Sequence, residues 1–406
     1  MGSMSVVLDR RTPSARPDSL RYDQPGLFSD GAPDVVDFQS AVEHFGEFPY
    51  SRAPYSARNW GHPLHSLCSY ASKMKPAIAS MLVSLFTEPE SMVLDPFSGA
   101  GTVPFEACLQ GRRGIAGDLS PLAFCLSSAK VNPPTPDETA EFLDALESYV
   151  CRSQPPTGDV VEPEIVTFFH PDTLTEIVNA RQFFEEREAA HNTIGAHWFV
   201  KACVLHILHG NRPYALSRRS HGIIPIPPKG PTRYKPLMKS LREKVTRMAL
   251  AQLPTTFRAG EAFQASALAT PLPEASVDAI ITSPPFLGTT EFLRQNRLRL
   301  WFSGWPYNRQ AEEKAGGQFL EYHKTLEVYG AVLIEFRRVI ASGGLVVLHL
   351  GVVKKADMGA GIMALAPSVG FDPIRLLYED TTRLESHGRT DRGATHQHQF
   401  LFLRPS

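Results

Sequence analysis

A doubly wound α/β fold with a mostly parallel sheet is what this sequence predicts, on three observations. The run Val277-Asp278-Ala279-Ile280-Ile281 is apolar and β-branched and stops abruptly at Thr282-Ser283-Pro284-Pro285-Phe286. Val93-Leu94-Asp95 leads through Pro96-Phe97-Ser98-Gly99-Ala100-Gly101-Thr102 into a helical pattern over 103–110. Gly114-Ile115-Ala116-Gly117-Asp118 is a second short strand that again ends on an acid. Strand, glycine turn and helix start in succession form the unit from which such sheets are built, with strand tips and helix N-termini facing a ligand.

The first of these strands ends as it does for a covalent reason. Two successive prolines fix φ and remove two backbone donors, so the chain must leave the sheet in a rigid, extended turn. That turn presents the Ser283 hydroxyl, the Pro284 and Pro285 carbonyls with no neighbouring N–H to occupy them, and the Phe286 ring. These parts suit the gripping of an exocyclic amino group on a planar base. Alone, the same turn is a strand terminator with a packing Phe. The glycine turn supplies a companion. Gly99 and Gly101 allow backbone N–H groups to approach a ligand closely. Asp95 at the strand tip suits a cationic group, such as the amino group of a methionine moiety, and Asp118 stands where doubly wound sheets receive a ribose diol. The Gly-Lys-Ser/Thr of a phosphate loop is missing, so no nucleoside triphosphate is implied.

Together these residues resemble the amino-group DNA methyltransferases that use S-adenosyl-L-methionine, the N4-cytosine and N6-adenine enzymes. Asp95-Pro-Phe-Ser-Gly-Ala-Gly-Thr102 looks like their motif I, Thr282-Ser-Pro-Pro-Phe286 like motif IV, and Tyr70-Ala-Ser-Lys73-Met-Lys75-Pro76 like motif X. The resemblance spans residues 60–130 and 257–406. It implies a class I methyltransferase fold, Rossmann-like, with a seven-stranded sheet that closes in a C-terminal β-hairpin. It implies cofactor contacts from Tyr70, Lys73, Asp95, Phe97, Gly99, Gly101, Thr102 and Asp118, and a catalytic group of Ser283, Pro284, Pro285 and Phe286. The position that carries an acid toward the cofactor's adenine holds Ser266, with Glu261 nearby. Motif order X, I, insertion, IV is that of the α group. Serine before Pro-Pro is the more usual choice of the cytosine-N4 enzymes, which implies methylation at N4 of a flipped cytosine in double-stranded DNA. Adenine N6, an RNA amino group, and a catalytically inactive DNA-binding specificity module stay open as alternatives. No Pro-Cys pair of the carbon-5 type is present, so covalent attack on the ring is not implied. A cognate restriction endonuclease would be a natural partner.

The remaining elements follow in order. Residues 1–40 are rich in Pro, Ser, Arg and Asp without periodicity and read as an irregular arm. A short helix is expected over 36–48, then an aromatic and basic stretch, Tyr50 to His62, leads into the cofactor half, 41–130. Across 131–256 the α/β alternation gives way to helical patterns at 136–149, 172–190, 197–209 and 235–251. From Lys201 to Arg247 basic residues dominate, and a Gly/Pro-punctuated loop runs through 209–231. This block stands where the α group keeps its recognition region, which assigns DNA contacts to Arg212, Arg218, Arg219, Lys229, Arg233 and Lys235. The catalytic half, 257–406, continues with an Arg-rich segment over 288–305, a helix over 322–340, a strand over 344–353, a helix over 358–368, and a strand pair at 371–379 and 397–403. His206 and His209, like His396 and His398, lack the further ligands of a recognisable metal site.

Composition bounds the rest. The 406 residues carry 41 Lys plus Arg against 42 Asp plus Glu, a net charge of −1, so any nucleic-acid face must be a local patch. The five cysteines show no Cys-x-x-Cys pairing, the pattern of reduced thiols in a cytoplasmic protein, and the resemblance implies association with the nucleoid through DNA. No run approaches the ~18 apolar residues of a membrane span.

Overall fold

The computed structural model describes residues 37–50, 52–57, 59–70, 73–153, 161–193, 195–210, 213–217, 224–228, 230–287, 292–305, 325–353, 356–380 and 397–406. Its centre is a sheet of strands β1 (Met92–Asp95), β2 (Arg113–Asp118), β3 (Glu261–Gln264), β4 (Val277–Thr282), β5 (Ile340–Val353), β7 (Phe371–Asp380) and β8 (Gln397–Pro405). They lie in the order β3-β2-β1-β4-β5-β8-β7, and a two-residue strand β6 (Ala356–Asp357) pairs with β5. The first five in that order are mutually parallel, whereas β8 runs antiparallel to both β5 and β7. This is the class I methyltransferase order with its terminal antiparallel pair.

The strands are apolar on both faces because helices cover both. Val93, Ile281, Val347 and Phe402 face one way, against α2 (Pro76–Phe86), α3 (Thr102–Leu109) and the Phe45 ring of α1 (Phe38–Glu47). Their neighbours Leu94, Ile280, Val346 and Leu403 face the other way, against α11 (Val328–Val339) and α12 (Met358–Leu365). The side-chain period of two thus assigns each residue to its layer. Asp37 caps α1 by accepting from Ser40 N–H at 2.8 Å, and the Ser40 side chain returns the bond.

Residues 131–256 fold into α5 (Pro136–Arg152), the single turn α6 (Pro163–Val166), α7 (Pro171–Ala189), α8 (Ala196–Leu208) and α9 (Leu237–Ala249). These do not form a separate lobe. Phe142, Phe184, Leu205 and Leu241 share one core with Phe105 of α3, with Leu122 and Cys125 of α4 (Pro121–Val131), and with Trp301 of α10 (Phe292–Phe302). Arginines of α10 stitch the catalytic half to this block: Arg297 donates to Pro225 O at 2.7 Å and Arg299 to Leu205 O at 3.0 Å. The expected helix over 322–340 is described from Val328 onward, and the expected strand at 344 begins four residues earlier, continuous with α11. No helix among the described residues is long and apolar enough to cross a membrane.

Candidate functional site

The strand order changes direction between β1 and β4, and in open α/β sheets that point opens a crevice at the strands' C-terminal ends. Asp95 ends β1 there and Thr282 ends β4. Thr282 Oγ1 donates to Asp95 Oδ1 at 2.5 Å, and Phe97 N–H donates to the same oxygen at 3.1 Å. Residues 187 positions apart are joined by that hydroxyl, so the two turns are one site. Thr282 had no role in the sequence reading, because nothing local distinguishes its hydroxyl from that of any strand Thr.

Gly99 and Gly101 adopt φ of 50° and 67°, in the left-handed region that favours glycine. A Cβ on Gly99 would meet the Tyr70 ring at 3.1 Å, and one on Gly101 would meet the Ser127 Cα at 2.9 Å. Tyr70 therefore covers the turn. Gly99 N–H donates to Asp118 Oδ2 at 2.9 Å, while Ser120 N–H donates to Oδ1 at 2.9 Å. Asp118 braces the glycine turn and keeps lone pairs on both oxygens for a ligand. Thr102 Oγ1 and Ser120 Oγ are buried polar atoms with no partner among the described residues, the state expected where a ligand completes the hydrogen bonding. Burial pushes the carboxyl of Asp95 up to about 7 and that of Asp118 up to about 6. Two carboxyls so destabilised as anions favour the arrival of a cation.

Beneath the turn lies a polar floor. Lys130 Nζ donates to Ala100 O at 2.5 Å, and His65 Nε2 pairs with Glu106 Oε1 at 2.7 Å, all these groups being buried. Lys73 belongs to this floor: its ammonium donates to His65 O at 2.7 Å, an anchoring bond beside the turn. Ser266 follows the C-terminal end of β3, at the site's edge, where its Oγ accepts from Leu268 N–H at 3.2 Å. Glu261 opens β3 and pairs with Ile115, at the far end of the strand from Ser266. It is not a candidate for the adenine contact.

At the β4 turn, one expectation is corrected. Tyr329 of α11 donates its hydroxyl to Pro285 O, so only one of the two proline carbonyls is open. Ser283 Oγ and Pro284 O have no hydrogen-bond partner among the described residues. Phe286 is half-buried rather than free at the edge, packed against the core that contains Leu348. Its ring centroid lies 6.2 Å from His349 and 6.3 Å from His398, edge-on to both. His349 went unnoticed in the sequence, and His398 was weighed there only as a metal ligand.

The basic block is corrected more heavily. Lys235 is tied inward, donating to Ala215 O and, at 3.4 Å, to Pro213 O, and burial holds its ammonium below the usual lysine range. It is unsuited to a phosphate contact. Lys201 pairs with Glu188, Lys244 donates to Ser66 O at 2.9 Å, and Arg242 pairs with Asp144 and Glu147. Arg233 is exposed. Arg212, Arg218, Arg219 and Lys229 lie outside the described residues. His206 accepts from Ser69 N–H at 3.3 Å and pairs with the Tyr214 hydroxyl at 2.9 Å, while His209 pairs with Ser217 Oγ at 2.7 Å.

Residues 65–142, which include Tyr70, the glycine turn and Asp118, match the family described as RMKL-like, methyltransferase domain. No curated protein matches the chain. Among solved structures, it is similar to a TehB-like SAM-dependent methyltransferase from Corynebacterium glutamicum, at 8% identity and TM-score 0.33, covering 81% of this chain and 87% of that one. TrmN from Thermus thermophilus is similar at 14% identity and TM-score 0.29, covering 83% of this chain and 50% of that one. Geranyl diphosphate C-methyltransferase from Streptomyces coelicolor, solved with S-adenosyl-L-homocysteine, is similar at 10% identity and TM-score 0.21, covering 41% and 58%. None of them assigns an acceptor to this chain. The matched domain, the strand order and the paired acids make the protein an S-adenosylmethionine-dependent methyltransferase.

Proposed function

We propose that this methyltransferase modifies an exocyclic amino group of a nucleobase within a polynucleotide, at N4 of a flipped cytosine in double-stranded DNA. One observation carries the reading: two acceptors with no partner among the described residues, Ser283 Oγ and Pro284 O, stand at the tip of β4, whose last residue is bonded to Asp95. An amino group conjugated to a base is a poor nucleophile because its lone pair is delocalised. Two acceptors that take its two N–H bonds favour a pyramidal nitrogen and expose the lone pair. The cofactor, when bound, supplies an electrophilic sulfonium methyl.

Asp95 would hold the cationic end of the cofactor and Asp118 its ribose diol, with Tyr70 closing over the glycine turn. Alignment of nucleophile and methyl would supply much of the acceleration. As the N–C bond forms the methyl's bond to sulfur breaks, and the nitrogen, strongly acidic once methylated, sheds its surplus proton to water, so no tuned general base is required. A base inside a duplex cannot reach this crevice, so it must be flipped, with Phe286 against it. Serine ahead of Pro-Pro supports cytosine over adenine. In this reading residues 131–256 recognise the target, and the phosphates are contacted by Arg233 together with Arg212, Arg218, Arg219 and Lys229, which lie outside the described residues. Such an acceptor would place the protein in the cytoplasm beside the nucleoid, where a cognate nuclease could share its target.

Nucleoside mass spectrometry of DNA and RNA from a host expressing the chain tests this. N4-methylcytosine in DNA supports the proposal. N6-methyladenine, or a methylated amino base in RNA, would replace the base or the polymer. No methylated base, from a protein that binds the cofactor in calorimetry, would overturn it in favour of a binding module.

A further inference from the structure

We propose that His349 is a specificity-determining residue that contacts the acceptor base, donating to the ring nitrogen next to the methylated amino group. This rests on the acceptor chemistry proposed above. His349 lies on β5 one residue beyond the Thr282–Leu348 pair, and so is level with Ser283. Its side chain is buried, with the residue 6% exposed, yet neither Nδ1 nor Nε2 has a hydrogen-bond partner among the described residues. The ring stacks on Phe400 at 4.8 Å and meets His398 edge-on at 4.7 Å and Phe286 at 6.2 Å.

Two unmade hydrogen bonds on one buried ring are uncommon in a folded protein and ask for an explanation. A phenylalanine would fill the same stack without that penalty. Burial, followed by the charges of His398 and Lys75, keeps the imidazole neutral, so it offers one N–H and one lone pair. The amino group of cytosine is flanked by N3 and that of adenine by N1, and both are acceptors. An imidazole N–H on the residue level with Ser283 in the sheet therefore complements an amino base. Uracil and thymine present the reverse pattern, a carbonyl flanked by N3–H, and would meet acceptor against acceptor at the turn. Discrimination by such a pattern exceeds what an apolar pocket gives.

The test compares wild type, H349F and H349Q on two oligonucleotides. One carries the natural acceptor base, and the other carries its 3-deazacytosine analogue, or 1-deazaadenine where mass spectrometry has identified adenine. Wild type should lose about tenfold or more in kcat/KM on the deaza substrate. H349F should lose as much on the natural substrate, show no further loss on the analogue, bind the cofactor normally, and melt at the same or a higher temperature. H349Q, which keeps a donor, should recover part of the discrimination. Near-normal activity of H349F, or wild-type discrimination retained in H349F, would overturn the assignment. Should H349F fail to fold, equal rates of wild type on the two substrates would overturn it instead. A wild type that binds cofactor and methylates neither nucleic acid sinks the proposed function itself, a different outcome.

Discussion

At the scale of single residues, the site is two carboxyls and two open acceptors set on opposite sides of one crevice. In the proposed reaction, Ser283→Ala removes an acceptor that matters most as the amino nitrogen pyramidalises. It should lower kcat by roughly 10–100-fold while calorimetric affinity for S-adenosylmethionine stays within about twofold. Asp95 gives a pH signature with a definite sign. Its folded-state value near 7 lies above the ordinary 3.8, so the folded protein without cofactor holds a proton that the unfolded chain has released between about pH 4 and 7. Asp95's own contribution to the stability of the unliganded protein should therefore fall as pH rises through that window, a component read as the difference between wild type and Asp95→Asn. A cationic ligand lowers the carboxyl's pKa, so cofactor affinity should rise from pH 6 to pH 7.5, with proton release visible as buffer-dependent binding heat. Asp95→Asn should flatten both trends. The acids, the glycines and Ser283 were legible because strand-tip chemistry is local. The Thr282–Asp95 bond, the Tyr329 hydroxyl on Pro285 O and the unpartnered His349 were not. Each depends on residues brought together from distant parts of the chain.

Among elements, the glycine turn carries the tightest geometric constraint. At Gly101 a methyl would sit 2.9 Å from the Ser127 backbone of the neighbouring helix, in a left-handed conformation. Gly101→Ala should destabilise by about 1–3 kcal/mol in denaturant titration, and weaken cofactor binding besides. The strands and most helices were readable from alternation, from Pro at helix starts and from Gly/Pro punctuation. Expected and observed helices of the 131–256 block agree to within about three residues at each end. What periodicity did not convey was partnership. The apolar faces of α5, α7 and α8 read as a separate module, yet α8 packs on α4, α5 packs on α7 and α8, and together they continue the core of the cofactor half.

For the whole molecule, the consequence is electrostatic. A stretch that looked like a cationic face spends Lys201, Lys244, Arg242 and Lys235 on internal carboxylates and carbonyls. Sequence reports the charge but not the direction of a four-carbon stem. Arg233 and Lys235 therefore separate two roles that a charge count would merge. Arg233→Ser should reduce the salt dependence of DNA binding by about one phosphate contact, a change of ~0.9 in the slope of log K against log salt. Lys235→Ser should leave that slope unchanged and lower the melting temperature. Filter binding across a salt series, alongside thermal melts, distinguishes them.

The Tyr329 hydroxyl on Pro285 has an outcome in product stoichiometry. With one carbonyl taken, the turn offers two seats, Ser283 Oγ and Pro284 O, and in the proposed reaction a primary amine would fill both with its two hydrogens. A secondary amine has one hydrogen left, so after a single turnover the modified base leaves one seat empty and brings a methyl where a hydrogen had been. The site thus discards its own product and rejects it on return. Exhaustive reaction with excess cofactor should give the monomethylated base alone, without a dimethylated peak in the digest. Tyr329→Phe, which frees a third seat without supplying a hydrogen for it, should leave that counting rule intact.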